Sequence, residues 1–298
     1  MTAAPPPGAT IGPPVAIVTG GAGGLGLETA RGLAAAGWRV IVGCRDARRA
    51  TVGEGWTLDL ARLSTVRAFA ARAAAELPRL DVVVCNAAVW PAARRRTADG
   101  HELAFGVNHL AHFVLVELLR PRLVASAPAR VVVVASGLHA RGHLDERELT
   151  GDGGGRRYDG VAAYAASKLA NVQFALALAR RLDGTGVTVN ACHPGVVATG
   201  LLRHQPPGRW DRGPRLSPAQ GARVPLHLAR APELAGVTGR YFDGLTPRRP
   251  APAALDRAAQ DRLWALSERL AASPRPPAPP ASTSAPGRPP GRPGRARR

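Results

Sequence analysis

Lysine and cysteine are scarce in this sequence. Of its 40 basic residues only Lys168 is a lysine, and all the others are arginines. The three cysteines, Cys44, Cys85 and Cys192, are odd in number and form no CxxC pair, which argues against a disulfide framework and against a zinc site. We therefore predict free thiols in a reducing compartment, which indicates a cytoplasmic protein.

Long apolar runs and a secretory leader are also missing. Apolar stretches such as Val131–Ala135 and Val82–Cys85 are far shorter than the roughly 20 residues that cross a bilayer, so no transmembrane segment is predicted. Residues Met1–Pro14 are proline-rich, without the basic start and apolar core of a signal peptide. The apolar fraction of 45% is nevertheless ordinary for a chain that buries a core.

Acidic residues are outnumbered, and the net charge is +19. Such a charge first suggests nucleic acid or an anionic surface as the partner. The tail Ser273–Arg298 holds 6 arginines and no acid, and the remaining +13 (19 − 6) is spread as single residues and short clusters such as Arg94–Arg96. We interpret the excess as a composition bias of the whole chain, so nucleic acid is not the expected partner. The alternative from another functional class is an arginine-rich protein that binds nucleic acid or an anionic surface and uses a degenerate enzyme fold as its scaffold.

The apolar pattern separates one folded domain from two terminal extensions. Residues 1–13 and the Pro/Arg-rich residues 273–298 show no apolar periodicity and are predicted to be disordered. Across residues 14–272, short apolar runs alternate with helical patterns, which predicts a single α/β domain with a Rossmann-type, doubly wound parallel sheet of about seven strands flanked by helices. The predicted strands are Ala16–Thr19, Arg39–Gly43, Trp56–Leu58, Leu80–Cys85, Val131–Ala135, Val187–Cys192 and Arg240–Phe242. The predicted helices run from about Leu25 to Ala36, Ser64 to Leu77, His101 to Leu119, Val161 to Leu182 and Ala254 to Leu270.

A glycine-rich turn connects the first predicted strand to the first predicted helix. It reads Thr-Gly-Gly-Ala-Gly-Gly-Leu-Gly over Thr19–Gly26. A pyrophosphate needs exposed backbone N–H groups at a helix N-terminus and no side chains in its way, and glycines meet both needs. We therefore predict that Gly20, Gly24, Leu25 and Gly26 bind the phosphates of a dinucleotide.

The end of the second strand carries a residue that bears on the choice of cofactor. In dinucleotide folds an acid at this place binds the ribose 2′-hydroxyl, whereas an arginine accommodates a 2′-phosphate. Arg45 therefore favours NADP(H), although Asp46 is adjacent and NAD(H) stays the alternative. Only 13 residues separate Arg45 from Asp59, so the helix between the second and third strands must be a stub.

Tyr164 and Lys168 lie four positions apart, on one face of a predicted helix. A free phenol has a pKa of about 10, so acid–base work near neutral pH requires a lower value. The electrostatic attraction of one cation about 4 Å away is roughly strong enough to lower the pKa of the phenol to that range. A compact ammonium can also bind ribose hydroxyls, which a planar guanidinium does less well. That the only lysine of the chain stands here indicates a position where arginine fails.

Several motifs together resemble those of the short-chain dehydrogenase/reductase family. They follow the family's order between Val15 and about Leu270: the glycine turn with TGxxxGxG spacing, Asp59-Leu60, Cys85-Asn86-Ala87-Ala88, Gly106–Phe113 around Asn108, Ser136, Tyr164–Lys168 and His193–Thr199. Cys85 is a departure, because the family usually has asparagine there. The combination is specific for the family and much less so for a substrate.

The resemblance implies a catalytic set of four residues. Tyr164 would protonate the carbonyl oxygen, Ser136 would polarise it, and Lys168 would lower the pKa of the phenol. Asn108 would relay the proton through a bound water. Tyr164 and Lys168 would also contact the cofactor.

The resemblance further assigns cofactor contacts along the sheet edge. Asp59 and Leu60 would contact the adenine, and Asn86 would line the adenosine ribose. Pro194 and Thr199 would lie beside the nicotinamide, where the Thr199 hydroxyl can also donate to the pyrophosphate.

No metal is predicted. His109 and His112 stand close together, but no third ligand is convincing and zinc prefers closed ligand sets. They are predicted to be core or interface histidines. The expected partner is a small carbonyl or alcohol substrate, and relatives that pair through two long helices suggest a homodimer.

Finer similarity points to the retinol-dehydrogenase-like branch of the family. It is carried by Thr97–Gly100, Asn108–Phe113, Lys168–Ala175 and Pro232–Phe242. It implies hydride transfer between a carbonyl and an alcohol on an apolar retinoid-, isoprenoid- or steroid-like substrate, beneath the loop 142–160 and the segment 201–216. Because Cys85–Val89 resembles protochlorophyllide reductase, reduction of a C=C bond stays an alternative, as does a cofactor-binding regulator without activity.

Overall fold

The computed structural model describes residues 12–153, 157–203 and 215–272, which form an eight-stranded sheet between two layers of helices. The strands are β1 (Val15–Thr19), β2 (Arg39–Cys44), β3 (Glu54–Thr57), β4 (Val82–Cys85), β5 (Ala129–Val134), β6 (Val187–His193), β7 (Arg240–Asp243) and β8 (Thr246–Arg248). The α-helices are α1 (Gly24–Ala35), α2 (Leu63–Glu76), α3 (Leu103–Phe105), α4 (Ala111–Ala125), α5 (Glu146–Leu149), α6 (Gly160–Arg181), α7 (Pro218–Arg230), α8 (Pro252–Leu255) and α9 (Arg257–Ala272).

The strand order defines where a ligand can bind. It is β3-β2-β1-β4-β5-β6-β7-β8, with β1 to β7 parallel and β8 antiparallel to β7. The chain leaves β1 toward one edge through β2 and β3, and then returns to build the other half from β4 onward. Such a reversal opens a crevice at the carboxyl ends of the central strands. The predicted doubly wound, Rossmann-type sheet is confirmed.

Alternate residues of the central strands enter two separate cores. In β1, Val15 and Ile17 pack with side chains from α2, α4, α6 and α9, whereas Ala16 and Val18 pack with side chains from α1 and α7. Neighbouring side chains of a strand point to opposite faces, and both faces here are covered by helices. This double burial explains why the strands read as continuous apolar runs.

Helix α6 is the longest helix of the described chain and lies against the sheet. The side chain of Asp159 caps its first turn by accepting from the N–H groups of Val161 and Ala162. Its residues from Tyr164 to Ala179 are all buried. The central part of α6 therefore places its side chains inside the fold rather than in solvent.

Two helical stretches are long and apolar enough to cross a membrane. They are Leu103–Ala125 and Gly160–Arg181, and 78% and 83% of their apolar windows are buried inside the protein. Core helices pass the same test of length and composition, so the stretches are weak evidence for a span.

The sheet has eight strands among the described residues, rather than about seven. The additional strand, β8, has three exposed residues that include Pro247, and it pairs with β7. Such a short exposed strand has no apolar pattern that the sequence could show. Helix α7 also lies outside the predicted helices, although its capping box of Ser217 and Gln220 is a recognisable start signal.

Two predicted helices are interrupted, and one predicted stub is confirmed. The expected helix from His101 to Leu119 is divided by a π-helical turn at Gly106–Leu110, and the expected helix from Ala254 to Leu270 is divided at Asp256. Between β2 and β3 only a three-residue 3-10 turn, Ala47–Arg49, is present. The short spacing of these two strands leaves room for nothing longer.

The three cysteines are free, as predicted, and the structure buries all of them. Residues 1–11, most of the segment 201–216, part of the loop 142–160 and residues 273–298 lie outside the described residues. The disorder of both termini and the domain boundaries at 14 and 272 therefore stay predictions.

Candidate active site

The predicted site residues converge on the carboxyl edge of the sheet. They follow successive strands: Gly20 to Gly26 after β1, Arg45 after β2, Asp59 and Leu60 after β3, Asn86 after β4, Ser136 after β5, and Pro194 and Thr199 after β6. Parallel strands end at the same edge, so residues distant in sequence are brought together there. Tyr164 and Lys168 face this edge from α6, since they contact Ser136 and the end of β5, respectively.

The glycine turn is shaped by close backbone contacts. Gly20 and Gly24 have positive φ angles of 69° and 53°, which side chains rarely adopt. A Cβ on Gly26 would lie 2.4 Å from Nδ2 of Asn86 and 2.5 Å from the carbonyl oxygen of Gly20. These three positions therefore require glycine, for backbone conformation or for space.

The turn fits the pyrophosphate of a dinucleotide. Helix α1 begins at Gly24 behind Gly23, with no side-chain cap and no acidic residue in its first turn. Its N-terminal N–H groups and the positive end of the helix dipole therefore face the crevice without a competing carboxylate. Leu25 packs its side chain toward Gly221 of α7, which leaves its backbone as the part that can bind a phosphate.

A chain of buried hydrogen bonds connects the glycine turn to the π-helical turn. Nδ1 of His112 lies 3.0 Å from the carbonyl oxygen of Asn108, and Nε2 lies 2.8 Å from Oγ1 of Thr19. A carbonyl oxygen can only accept, so Nδ1 carries the proton and Nε2 accepts from the Thr19 hydroxyl. Thr19 Oγ1 in turn accepts from the N–H groups of Asn86 and Ala87 at 2.9 and 3.0 Å. Burial lowers the pKa of His112 to about 4, which keeps this ring neutral.

Asn108 connects the loop after β4 to helix α6. Its Nδ2 donates to the Val89 carbonyl oxygen at 3.0 Å and to Ser167 Oγ at 2.9 Å, and its Oδ1 accepts from the Val89 N–H at 2.8 Å. Ser167 Oγ donates to the Tyr164 carbonyl oxygen at 2.7 Å. Both amide hydrogens are thus engaged by the protein. In the structure the Asn108 side chain bridges Val89 and Ser167. The water relay through Asn108 stays a prediction.

Tyr164 lies at the centre of the site and is 5% exposed. The side chain of Ser136 lies close enough to its hydroxyl to affect its pKa. Burial raises the pKa of Tyr164 above its ordinary value, and the nearby Ser136 side chain offsets only part of that rise. Lys168 lies near the ring, with Nζ 5.5 Å from its centroid, and its lowering of the pKa of the phenol stays a prediction.

Lys168 is enclosed at the end of β5 and is 1% exposed. Its Nζ donates to the carbonyl oxygen of Val134 at 2.9 Å and lies 5.5 Å from the ring centroid of Tyr164. Burial lowers the pKa of Lys168 to about 8, although the nearby thiols of Cys192 and Cys85 act to raise it. The ammonium is therefore mostly charged at neutral pH and lies within cation–π distance of the phenol ring.

The end of β2 is an exposed cluster of charge. Arg45 is exposed, and the neighbouring Asp46 forms two hydrogen bonds with the guanidinium of Arg48, at 3.0 and 3.1 Å. This pairing holds the pKa of Asp46 below its usual range. The acid that could compete for a ribose 2′-hydroxyl is thus already engaged, while Arg45 projects from the strand end.

The loops after β3 and β6 place the other predicted cofactor contacts. Asp59 Oδ1 accepts from the N–H of Ala61 at 3.1 Å, and Leu60 is buried. Thr199 caps a short 3-10 turn, and its methyl carbon lies 3.1 Å from the position of a Cβ on Gly24. Pro194 is buried beside Gly195. Thr199 and the glycine turn thus face the same space, as a pyrophosphate contact requires.

His109 and His112 are core residues, as predicted, with 1% and 2% exposure. Nε2 of His109 lies 2.9 Å from the hydroxyl of Ser267 on α9. Among residues 12–153, 157–203 and 215–272, no group of three or more His, Cys, Asp or Glu side chains is placed to hold a metal ion.

Trp90, Thr19 and Ser167 are site residues that sequence reasoning did not identify. Thr19 and Ser167 act through hydrogen bonds, as described above. The indole of Trp90 is stacked on the phenol of Tyr164, with 4.3 Å between ring centroids and 7° between planes. A tryptophan following Asn86-Ala-Ala-Val in an aromatic-poor chain was the available signal for it.

Fold and site together define a class of protein. A doubly wound sheet with a phosphate-binding glycine turn holds a dinucleotide, and a buried phenol with a neighbouring ammonium can exchange a proton beside it. These are the parts of a nicotinamide-dependent oxidoreductase.

Comparison with known proteins identifies the family. The family model described as short chain dehydrogenase matches residues 14–144 and 149–210. The chain belongs to this family. It is 42% identical over 294 residues to human retinol dehydrogenase 13, covering 91% of this chain and 88% of the relative, and 40% identical over 284 residues to mouse retinol dehydrogenase 14, covering 85% and 84%. A solved structure of an uncharacterized protein from Mycobacterium paratuberculosis is similar with a TM-score of 0.71 and 32% identity, covering 89% of this chain and 96% of that one.

These matches establish the coarse function. The chain is an oxidoreductase of the retinol-dehydrogenase-like branch, and its fold binds a nicotinamide dinucleotide. Membership agrees with the resemblance carried by the motifs of the sequence.

Proposed function

We propose that this protein is an NADP(H)-dependent enzyme that interconverts a carbonyl and an alcohol on an apolar substrate, of the retinoid, isoprenoid or steroid type. The observation that carries the proposal is the buried phenol of Tyr164, near the side chain of Ser136 and with the ammonium of Lys168 5.5 Å from its ring centroid. A proton donor, a second polar hydrogen and a fixed positive charge are what a developing alkoxide needs.

The chain's own residues supply the proton chemistry. When bound, the nicotinamide supplies or accepts the hydride. In the direction of reduction, Tyr164 donates its proton to the carbonyl oxygen, and its raised pKa keeps that proton in place until the substrate arrives. Ser136 Oγ, oriented by the N–H of Leu138 at 3.2 Å, donates a second hydrogen bond to the same oxygen. Lys168 stabilises the phenolate that remains, and burial strengthens this attraction.

Charge at the end of β2 supports a preference for NADP(H). Arg45, Arg48 and Arg49 outnumber the single acid Asp46, which Arg48 already binds. The cluster therefore carries a net charge of +2 (3 − 1) where the 2′-phosphate of NADP(H) would lie. An arginine there offers bidentate hydrogen bonds to a phosphate.

Apolar side chains near the end of β6 support an apolar substrate. Val196 and Leu216 are 54% and 37% exposed although both are apolar. The N–H of Leu216 donates to the carbonyl oxygen of Val196 at 2.8 Å, which holds the two together beside the predicted nicotinamide contacts. The relatives reported above are named retinol dehydrogenases, which agrees with a substrate of this class.

Two further features are proposed with the activity. Three buried free thiols support a location in the cytoplasm. A homodimer is proposed by analogy with family members that pair through their long helices.

The test is a screen of substrates with the purified protein. Retinal, a linear isoprenoid aldehyde, a steroid ketone and a sugar aldehyde are each offered with NADPH and with NADH, and the absorbance of the reduced nicotinamide is followed. The corresponding alcohols are offered with the oxidised cofactors. We expect NADPH oxidation with one of the apolar carbonyls and none with the sugar. Absence of turnover with every compound in both directions, together with salt-dependent binding of DNA, would favour the arginine-rich binder instead.

A further inference from the structure

Trp90 and Tyr164 form an aromatic pair that lies apart from both apolar cores. Trp90 is 6% exposed, and its ring is nearly parallel to the phenol with centroids 4.3 Å apart. Neither residue belongs to the two clusters of core side chains that pack on the faces of the sheet. The burial of Trp90 is thus local to the site and is supplied in part by the reacting phenol itself.

The backbone that carries Trp90 is fixed by two hydrogen bonds. Asn108 binds both the N–H and the carbonyl oxygen of the preceding residue, Val89, at 2.8 and 3.0 Å. A residue held on both of its backbone polar groups has little freedom to move. The indole therefore starts from a rigid attachment point rather than from a free loop.

The same amide group also holds the helix of Tyr164. Nδ2 of Asn108 donates to Ser167 Oγ at 2.9 Å, and Ser167 Oγ donates to the carbonyl oxygen of Tyr164 at 2.7 Å. Both members of the aromatic pair are thus tied to one side chain by buried hydrogen bonds. Such fully paired buried networks favour a single arrangement over alternatives.

We propose that Trp90 is a positioning residue for the reaction: its indole fixes the phenol of Tyr164 in the orientation that meets Ser136 and forms one wall of the substrate site. The inference rests on the proposed function. An aromatic face covers one side of the phenol ring, so rotation of the ring would break the stack. A misplacement of about 1 Å at a reacting group costs roughly a hundredfold in rate.

Another buried tryptophan provides a matched comparison. Trp264 on α9 is also 6% exposed, but its ring packs against Phe113 and Phe174 inside the larger core. Replacing it removes a similar apolar surface from the protein without touching the site. Any effect that substitution of Trp90 shares with substitution of Trp264 is therefore attributed to lost stability and not to a role in the site.

The experiment compares Trp90→Leu, Trp90→Phe and Trp264→Leu with the wild type in NADPH-dependent carbonyl reduction. We expect Trp90→Leu to lower kcat by about 10- to 100-fold with the KM for NADPH unchanged. Trp90→Phe, which keeps a ring for stacking, should recover kcat to within about threefold of the wild type. Trp264→Leu should lower the Tm and leave kcat unchanged. A kcat for Trp90→Leu within about twofold of the wild type would overturn the inference. The proposed function would still stand in that case, because it is tested by the turnover of the wild type.

A second measurement does not depend on activity. Trp90→Leu, Tyr164→Leu and the double variant are compared in thermal unfolding. Residues in contact give non-additive losses of stability, so the double variant should lose less Tm than the sum of the single variants. Additive losses would show that the rings are not coupled in solution, and would overturn the inference even for a chain that turns over none of the substrates offered.

Discussion

The two flanks of the carboxyl edge are built in opposite ways. On one flank, the Lys168 ammonium, the Asn108 amide and the backbone carbonyl of Tyr164 are buried and take part in protein hydrogen bonds of 2.7–2.9 Å. At the end of β2, Arg45 and Arg48 are exposed, and the connection from β2 to β3 contains only a three-residue 3-10 turn. One flank is buried and hydrogen-bonded, and the other is exposed to solvent.

This difference separates the residues expected to carry out the chemistry from the residues expected to select the cofactor. Buried charges and hydrogen bonds are little screened by salt and cannot be altered without disturbing their partners. Exposed ion pairs contribute little to stability and tolerate change. We therefore expect substitutions on the buried flank to affect turnover strongly, and substitutions on the exposed flank to affect which nicotinamide is used.

The largest effect is expected for Tyr164→Phe. The variant keeps the ring stacked on Trp90 and removes only the hydroxyl that donates the proton. Loss of a general acid costs about 10²- to 10⁴-fold, so kcat should fall by roughly a thousandfold. The Kd for NADPH, measured by fluorescence titration, should stay within about twofold of the wild type. Turnover equal to that of the wild type would exclude Tyr164 as the proton donor.

Lys168→Arg is expected to come next, with kcat reduced by about a hundredfold. The ammonium is 1% exposed and bonded to the Val134 carbonyl, so the larger planar guanidinium has no room to place its charge in the same position. Steady-state kinetics and a thermal melt on the same sample separate lost chemistry from lost folding. A folded variant with full activity would refute the special role of the solitary lysine.

Arg45→Asp should change cofactor preference by about 10- to 100-fold toward NADH, because a charge-assisted bond to the 2′-phosphate is replaced by repulsion. The ratio of kcat/KM for NADPH and NADH measures the change. Arg248→Asp on the exposed strand β8 is the matched control, since it makes the same charge change away from the crevice. An unchanged ratio in Arg45→Asp would place the 2′-phosphate elsewhere.

The smallest effect is a loss of rate at alkaline pH. Burial lowers the pKa of Lys168 to about 8, so the cation is present at neutral pH and is lost as pH rises through that value. Burial raises the pKa of Tyr164, and it raises the pKa of Cys85 and of Cys192 to about 12, so none of the three titrates in this window.

Carbonyl reduction should therefore decline above a pH of about 8, by up to tenfold per pH unit. The pH profile of kcat measures it, and Lys168→Met should show a low rate without this decline. A wild-type rate that stays flat to pH 10 would contradict the assignment.

Local sequence signals predicted most of the sheet and the order of the site residues. The apolar run of β5 and the glycines after β1 are patterns of neighbouring residues, so they can be recognised in the sequence without knowledge of the fold. The polar strand β8 and the π-helical turn around Asn108 could not be recognised in this way. The first depends on the edge of β7 for its pairing, and the second depends on hydrogen bonds to Val89 and Ser167.

The pKa of Tyr164 shows the same limit inside the site. Helical spacing predicted that Lys168 lies near the phenol, and it does. Spacing could not give the balance between charge and burial, because burial is supplied by Trp90 and by strands distant in the chain. Spacing thus indicated that the lysine lies near the phenol, while the upward effect of burial on the pKa of Tyr164 followed only from the fold.

The sequence by itself determined the alternation of strands and helices, the glycine turn after β1, and the pairing of Tyr164 with the only lysine one helical turn away. These features depend on residues within a few positions of each other. Only the tertiary structure decided that Trp90 covers the phenol and that the Lys168 ammonium binds the carbonyl oxygen of Val134. Those contacts join residues 74 and 34 positions apart, and burial energies arise only when the intervening chain has packed into a sheet and its helices.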